Sequence, residues 1–259
     1  MRIGVFDSGL GGISVLKEIR ARMPSAALAY VADSAWVPYG SRGDEVIRQR
    51  ALSLARFLLE DGADIIVVAC NTATAAAVPM LRETIPLPIV GMEPAVKPAT
   101  AATRSGVVGV LATVGTLQSA RFAALLDQFG GNIQVLTRAC PGLVEQVEAG
   151  DLDGPATRQL VERYVRPLVQ AGADTLVLGC THFPFLRPLI EATAGPEVRI
   201  IDTGEAVARR VAQVAEALGP GISPSPDVAF WTSGDPETLS GPLCKLWGRP
   251  VVLAGLPEG

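Results

Sequence analysis

Two cysteines stand at the ends of apolar segments and are followed by small polar side chains. Cys180 ends the segment "DTLVLGC" and is followed by "TH", so that His182, the only histidine of the chain, lies two residues further on. Cys70 ends the segment "DIIVVAC" and is followed by "NT". A cysteine can serve as a nucleophile, a metal ligand, a redox thiol or a proton-transfer group. The surroundings of these two cysteines must decide among those chemistries.

The two cysteines occupy the same place in an internal repeat. Residues 68–72, "VACNT", match residues 178–182, "LGCTH", and the tripeptide "GAD" precedes both segments at the same distance. The offset is 110 residues in both matches, which puts Cys70 on Cys180. A weaker match links "IGVFDS" near the N-terminus with "VGVLAT" in the middle of the chain. The repeat predicts two similar halves, each with a central strand that ends on a cysteine.

Short apolar segments alternate with longer amphipathic ones along the chain. Several short segments are apolar throughout, which is typical of strands covered on both faces by helices. The pattern predicts an α/β fold of two pseudo-symmetric, doubly wound domains with mostly parallel sheets. Strands are expected at residues 2–7, 28–33, 64–70, 88–92, 106–112, 132–137, 174–180 and 198–202, with a further strand and helix within 228–243. Helices are expected, among others, at 43–61, 116–129, 153–171 and 204–218, and a loop at 219–227.

Composition argues against several classes of protein. The 259 residues are 49% hydrophobic and 19% charged, which is ordinary for a globular chain. The net charge of −4 and the lack of any block of like charge argue against a nucleic-acid partner. No segment of about 18 apolar residues is present, and the N-terminal apolar run is too short for a signal peptide. We therefore expect a cytoplasmic protein with no membrane span, whose four cysteines are free thiols.

Ligands of open α/β sheets bind at the carboxyl ends of the strands, where Asp7, Ser8 and the two cysteine turns are expected. A helix N-terminus attracts anions and lowers the pKa of a thiol, so both cysteines would titrate closer to neutral pH. The plain alternative is that cysteines are buried core residues, and Cys140 and Cys244 are assigned to that class.

Three other kinds of site fit less well. A metal site needs three or four ligands at recognisable spacing, so no metal is expected from one histidine and scattered cysteines. A Cys–His hydrolase would pair Cys180 with His182, but such pairs come from distant segments, and Cys70 would have no role. The segment "FDSGLGGIS" is similar to a dinucleotide-binding turn, but Ser14 replaces its third glycine and Asp7 would repel a pyrophosphate.

A racemase accounts for both cysteines. It must remove a proton from one face of a carbon and return one to the other face. Two halves that face each other supply an acid and a base in mirrored places. Pyridoxal phosphate would need a Schiff-base lysine, and Lys17, Lys97 and Lys245 have no such setting. No cofactor is therefore expected.

At these residues the chain resembles the glutamate racemase family, within the cofactor-independent aspartate/glutamate racemase superfamily, over most of its length. The resemblance implies two α/β domains that hold glutamate between them and convert L-glutamate to D-glutamate, a peptidoglycan precursor. The order of elements gives a first domain of residues 1–96 plus 206–259 and a second of residues 97–205. The matching segments are "GVFDSGLGG" (4–12), "ADSAWVPYG" (32–40), "ACNTATA" (69–75), "GMEPAVKPA" (91–99), "GVLATVGT" (109–116), "ACPGLVEQVEAG" (139–150), "GCTHFP" (179–184) and "IDTGEA" (201–206).

The resemblance also implies roles for individual residues. Cys70 and Cys180 would be the two acid/base residues, with Cys70 acting on the D-enantiomer and Cys180 on the L-enantiomer. Asp7 would assist Cys70, while Glu148 and His182 would assist Cys180. The positions that match substrate-binding residues are Asp7, Ser8, Tyr39, Gly40, Asn71, Thr72, Thr181 and His182.

Some points stay open from the sequence. Glu145 lies one helical turn from Glu148 and is the alternative partner of the second cysteine. The alternative functions are a racemase of aspartate or another amino acid, and a ligand-binding module without catalysis. The expected partner is the small-molecule substrate glutamate, with no nucleic acid and no membrane, and a homodimer is one oligomeric state open to the chain.

Overall fold

The computed structural model describes residues 1–219 and 227–257, so most of the loop expected at 219–227 lies outside the described residues. Ten strands occur in the described residues, in two separate sheets. They are β1 (Arg2–Asp7), β2 (Ala27–Ala32), β3 (Ile65–Val68), β4 (Ile89–Val90), β5 (Val107–Ala112), β6 (Gln134–Ala139), β7 (Thr175–Gly179), β8 (Arg199–Ile201), β9 (Val228–Thr232) and β10 (Leu253–Gly255).

Helices connect these strands. The α-helices of the described residues are α1 (Ile13–Arg22), α2 (Asp44–Glu60), α3 (Asn71–Thr84), α4 (Val96–Ala102), α5 (Val114–Gln118), α6 (Ala120–Phe129), α7 (Leu143–Glu148), α8 (Pro155–Gln170), α9 (Arg187–Ala194), α10 (Gly204–Leu218) and α11 (Pro236–Trp247). Short 3-10 helices span Ser34–Trp36, Tyr39–Ser41 and Phe183–Leu186. Among the helices of residues 1–219 and 227–257, none is long and apolar enough to cross a membrane.

Both sheets share one order of strands. The larger sheet runs β10-β9-β2-β1-β3-β4 and the smaller one β6-β5-β7-β8. The four strands β2-β1-β3-β4 thus correspond to β6-β5-β7-β8, and the larger sheet adds β9 and β10 at one edge. All pairs of neighbouring strands in the described residues are parallel. The predicted fold of two pseudo-symmetric α/β domains is confirmed, and β3 corresponds to β7 as the repeat requires.

Helices cover both faces of the larger sheet. Successive side chains of a strand point to opposite faces, so one strand packs against helices on both sides. Ile3 and Val5 of β1 pack in one apolar cluster with Leu16 of α1. Phe6 of the same strand packs in a second cluster with Leu58 of α2, on the opposite face. Each such side chain is fully buried and contributes about 1.5–3 kcal/mol relative to exposure.

The smaller sheet repeats this arrangement. Leu176 of β7 packs with Leu168 of α8 and Ile190 of α9. Val110 of β5 packs on the other face with Phe122 of α6. The central strands are thereby packed between helices, and this packing positions the residues that follow β1, β3, β5 and β7.

Two predictions about the elements need correction. The helix expected at 116–129 is two helices, α5 and α6, because Ser119 is extended and its hydroxyl accepts a hydrogen bond from the backbone N–H of Phe122. Strand β10 was not predicted, since three residues are too short for a visible alternation. The strands of the larger sheet lie within 1–96 and 206–259 and those of the smaller sheet within 97–205. The exact domain boundaries stay a prediction.

Candidate active site

Both sheets contribute to one cavity at the carboxyl ends of their central strands. The space among its lining atoms, together with open solvent at its mouth, is about 290 Å³. The side chains around it come in similar numbers from the two halves, as expected for a site between pseudo-symmetric domains. The lining residues are Ser8, Pro38, Tyr39, Gly40, Cys70, Asn71 and Thr72 from the first half, and Thr113, Thr116, Val144, Gly179, Cys180, Thr181 and His182 from the second.

Cys70 lies two residues after β3 and caps helix α3. Its Sγ accepts a hydrogen bond from the backbone N–H of Ala73 at 3.4 Å, and its thiol faces Ser8 Oγ at 3.9 Å. The expected lowering of its pKa is wrong. Burial raises the pKa of Cys70 well above the usual value for a thiol, and the nearby carboxyl of Asp7 raises it further. One backbone N–H does not compensate a thiolate for the loss of water.

Cys180 directly follows β7, and its turn differs from the first. The next element is the 3-10 helix Phe183–Leu186 instead of an α-helix, so Cys180 is not a helix cap and that expectation is corrected. The Sγ of Cys180 lies 3.6 Å from Nδ1 of His182. The other ring nitrogen, Nε2, lies 2.5 Å from Oε1 of Glu148.

The imidazole of His182 is almost fully buried, between a thiol and a carboxylate. Burial lowers the pKa of His182, but the hydrogen bonds with Cys180 and Glu148 outweigh it and raise the pKa well above its usual value. The ring is therefore a strong candidate to hold a proton next to the sulfur. Glu145 does not line this cavity and borders an adjoining cleft with Cys140, which shares Thr113 and Val144 with the cavity. Of the two glutamates considered, the structure brings Glu148 to the histidine.

Asp7 ends β1 and has no exposed surface. Its carboxylate accepts hydrogen bonds from the backbone N–H groups of Ser8 at 2.7 Å and Gly12 at 2.6 Å, and from Thr181 Oγ1 at 3.2 Å. Burial raises the pKa of Asp7, while the charge of His182 and the N–H of Ser8 act against that rise. The bond to Thr181 joins the first half to the turn that carries the second cysteine.

The side-chain amide of Asn71 is buried in the wall of the cavity. Asn71 is 5% exposed, yet neither its nitrogen nor its oxygen has a hydrogen-bond partner among residues 1–219 and 227–257. Buried polar groups are normally paired, so such an amide is available for a bound molecule. Tyr39 also lines the cavity, but its hydroxyl donates to Asp33 at 2.5 Å, and Asp33 is held by Arg50 at 2.7 Å.

Two lining threonines were not predicted as site residues. Oγ1 of Thr72 lies 2.9 Å from that of Thr113 and 3.1 Å from that of Thr116, so three hydroxyls from both halves form one cluster. The signal was present in the sequence. The match of "IGVFDS" with "VGVLAT" puts Thr113 on Ser8, which is one of the predicted site residues.

The two remaining cysteines do not line the cavity. Cys140 is buried, and its thiol donates to the backbone carbonyl of Arg138 at 3.3 Å. Cys244 lies in α11. Within the part of the chain that the structure describes, no group of three or more His, Cys, Asp or Glu side chains could hold a metal ion.

The sequence profile of the Asp/Glu/Hydantoin racemase family matches residues 13–211. The chain belongs to this family. Its relatives include the glutamate racemase of Pseudomonas aeruginosa, which is 58% identical over 252 residues, 96% of this chain and 94% of that protein. The glutamate racemase of Stutzerimonas stutzeri is 54% identical over 257 residues, 99% and 97% of the two chains. Glutamate racemases are isomerases that act on amino acids, and this racemase-family chain is an enzyme of that kind.

Solved structures agree with this assignment. The Escherichia coli glutamate racemase, in complex with L-glutamate and the activator UDP-MurNAc-Ala, superimposes with a TM-score of 0.89 at 33% identity, covering 98% of this chain and 97% of that one. The Francisella tularensis glutamate racemase, in complex with D-glutamate, has a TM-score of 0.84 at 25% identity, covering 99% and 97%. The two α/β domains therefore have the arrangement of that family.

Proposed function

We propose that this racemase-family enzyme interconverts L- and D-glutamate by a two-base proton transfer in which Cys70 and Cys180 act from opposite sides of the α-carbon. The observation that carries the proposal is the pair of thiols at one cavity, each at the corresponding place of one pseudo-symmetric half. A reaction that inverts one carbon centre needs a proton acceptor on one face and a donor on the other.

The surrounding groups fit the two directions. Cys180 would take the proton of L-glutamate, with His182 and Glu148 beside it, while Cys70 returns a proton to the opposite face. In the reverse direction Cys70 would take the proton of D-glutamate, with Asp7 and Ser8 nearby. Substrate would be held by Ser8, Tyr39, Gly40, Asn71, Thr72, Thr181 and His182, and by the additional hydroxyls of Thr113 and Thr116.

The amide of Asn71 and the threonine cluster give this binding a chemical basis. A glutamate zwitterion carries two carboxylates and one ammonium group, which require several donors and acceptors in a small space. The unpaired amide offers both kinds of group, and the three threonine hydroxyls can each donate to a carboxylate.

The reaction is proposed to need no cofactor. Each lysine of the chain is engaged away from the cavity: Nζ of Lys17 lies 5.9 Å from the ring centroid of Phe185, and Nζ of Lys97 lies 5.5 Å from that of Phe129. Lys245 donates to the carbonyl of Gly150 at 2.6 Å. The product D-glutamate would serve peptidoglycan synthesis in the cytoplasm, and a homodimer stays a prediction for sedimentation analysis.

The direct test is chiral chromatography of L-glutamate incubated with the pure protein, with no added cofactor. Appearance of D-glutamate up to an equal mixture is the expected result. L-Aspartate serves as the comparison substrate. Faster conversion of aspartate would contradict the substrate, and activity that depends on added pyridoxal phosphate would contradict the mechanism.

Isotope incorporation tests the two-base step. The thiol that donates to the product exchanges with solvent before substrate binds, so D-glutamate formed from L-glutamate in D₂O should carry deuterium from the first turnovers. The remaining L-glutamate should at first keep its protium. Early-time mass spectrometry of the separated enantiomers measures both, and substantial protium in the first D-glutamate would point to a single base.

A further inference from the structure

The glycine turn, residues 8–12, lies against the acid/base group of the other half. A methyl group added to Gly11 would lie 2.2 Å from Nδ1 and 2.5 Å from Cε1 of His182. A methyl group added to Gly9 would lie 2.2 Å from Oε1 of Glu148. Separations below about 3 Å are not tolerated between such atoms, so any larger residue at either glycine would displace these side chains.

The backbone does not explain these glycines. Neither Gly9 nor Gly11 has the left-handed φ that favours glycine, although nine other glycines in the part of the chain that the structure describes do. An added methyl would take space that His182 occupies beside Gly11 and that Glu148 occupies beside Gly9, where Val37 Cγ2 is also near at 3.0 Å. Gly12 is different, because its added methyl would meet Asp7 Cβ at 2.8 Å and Tyr30 Oη at 2.9 Å, inside the first half.

The same turn also binds the carboxylate directly. The backbone N–H of Leu10 donates to Oε1 of Glu148 at 2.6 Å, and Nε2 of His182 contacts that same oxygen at 2.5 Å. Buried Tyr30 holds this glycine turn, because its hydroxyl donates to the carbonyl of Gly9 at 2.6 Å. A continuous series of contacts thus runs from the first half through Leu10, Glu148 and His182 to Cys180.

We propose that Gly9, Leu10 and Gly11 of the first half are positioning residues for the second half's proton-transfer group, holding Glu148 and His182 so that the imidazole meets Cys180. The inference deepens the proposed function and rests on it for its kinetic consequence. Both halves therefore contribute to the surroundings of Cys180. Separation of the halves would break the hydrogen bond from Leu10 to Glu148 and release the carboxylate that orients the ring of His182.

The single histidine of the chain makes this testable without any activity. In protein labelled with [¹⁵N]histidine, the ring-nitrogen signals come from His182 alone. The ionisable groups that face the ring are Glu148, Cys180 and Asp7. Gly11→Ala and Gly9→Ala should each change the Nδ1 and Nε2 shifts at constant pH, because the ring loses its fixed contacts.

Gly109→Ala is the matched control. Its added methyl would lie 2.5 Å from Cδ2 of Leu176, so it crowds the second half's core away from the ring. It should lower stability and leave the His182 signals in place. Unchanged ring signals in Gly11→Ala and Gly9→Ala, or an equal change in Gly109→Ala, would overturn the proposal.

Kinetics supply a second, independent measurement. Gly11→Ala should lower kcat for L-glutamate about 10²-fold, the order expected when a catalytic group is misplaced by about 1 Å. In a His182→Ala background the ring is gone and the methyl has room, so Gly11→Ala should cause no further loss. Equal losses in both backgrounds would show that Gly11 acts through something other than His182.

The double variant also covers a failure to fold. If Gly11→Ala alone is unfolded by circular dichroism, removal of the ring in Gly11→Ala/His182→Ala should restore the fold. A double variant that stays unfolded would reject the proposal. If wild-type protein does not racemise glutamate at all, the proposed function fails, while the NMR comparison still decides whether the turn positions the histidine.

Discussion

The turn that follows β3 and the turn that follows β7 occupy the same place in two copies of one fold, but they surround their cysteines differently. Cys70 faces a serine hydroxyl and lies near the carboxyl of Asp7. Cys180 contacts an imidazole that is paired with Glu148. In the repeat, Thr72 stands where the second half has His182.

The carboxylates show the same divergence. Asp7 is the last residue of β1, and the corresponding last residue of β5 is Ala112. The second half therefore has no acid at the strand end and takes one from α7, with His182 between acid and thiol. The repeated fold thus places the two sulfurs at corresponding positions, while different side chains surround each of them. In the proposed mechanism this difference gives each thiol its own acid/base surroundings.

Removal of either thiol should have the largest effect. Cys70→Ala and Cys180→Ala should each reduce racemisation by about 10²–10⁴-fold or more, since the proposed mechanism uses each sulfur in every turnover. The two variants should differ in D₂O: Cys70→Ala keeps the base for L-glutamate and should exchange only its α-proton. Cys180→Ala should exchange only that of D-glutamate.

Controls for the thiol variants come from the same chain. Cys140→Ala and Cys244→Ala should keep their activity, because neither residue lines the cavity. Nuclear magnetic resonance of the α-proton follows the exchange. Exchange of the opposite enantiomer in either variant would reverse the assignment of the two faces.

Replacement of the Glu148 carboxylate, at the end of α7, by an uncharged amide should have the next largest effect on activity. Glu148→Gln should lower kcat by about 10²-fold, because the amide cannot accept as strongly from both Leu10 and the buried histidine. Glu145→Gln is the matched control in the same helix and should stay within a few-fold of wild type. The comparison is made by initial rates at saturating glutamate, and a larger loss in Glu145→Gln would exchange the two assignments.

Loss of the imidazole should be unequal in the two directions. His182→Asn should lower kcat more for L-glutamate than for D-glutamate, because the ring adjoins Cys180, the proposed base for the L-enantiomer. The ratio kcat/KM must change by the same factor in both directions, since the enantiomers have equal free energy. The asymmetry is therefore sought in kcat and KM separately. Equal losses of kcat in the two directions would contradict a role tied to the base for L-glutamate, and a rise of KM with unchanged kcat would indicate a role in binding alone.

The free energy of unfolding should change with pH in a direction that the pKa of His182 predicts. The pKa of His182 is raised in the folded protein. The protonated ring therefore contributes its full stabilisation at pH values below the ordinary histidine pKa, and this stabilisation is lost as the pH rises through the raised pKa. Wild type should therefore lose stability relative to His182→Asn as pH increases across that interval. Urea unfolding at several pH values measures the difference.

Much of the fold and the two cysteine positions could be predicted because their signals are local. Apolar segments and the repeat located the strands and put Cys70 on Cys180. The pairing of Leu10 with Glu148 could not be predicted from local patterns, because it joins residues 138 positions apart. The pKa of Cys70 was mispredicted for a similar reason: its burial depends on side chains from distant segments, and burial outweighs the helix start.

The "GAD" repeat has a structural counterpart at the opposite ends of the same strands. Asp64 precedes β3 and accepts one hydrogen bond from the backbone N–H of Arg2 at 2.7 Å. Asp174 precedes β7 and accepts from Thr103 Oγ1 at 2.6 Å and from the backbone of Arg104 at 2.7 Å. A further N–H, of Ser105, donates to it at 2.8 Å, so the second aspartate has more partners than the first.

This difference predicts the smallest effects, on stability alone. Partial burial raises the pKa of Asp174, but its hydrogen bonds lower the pKa by more and hold it below the usual range. Its stabilisation is therefore fully present above the ordinary aspartate pKa of about 3.9 and is lost as pH falls through the lowered value. Asp174→Asn should cost about 1–3 kcal/mol of unfolding free energy at pH 7, and exposed Asp64→Asn less than about 1 kcal/mol. Both variants should keep wild-type kcat, since the cysteines lie at the other strand ends. Urea unfolding at pH 7 and near pH 3 tests this. The loss of unfolding free energy in Asp174→Asn relative to wild type should shrink on acidification. A loss that grows instead would contradict a lowered pKa for this carboxylate.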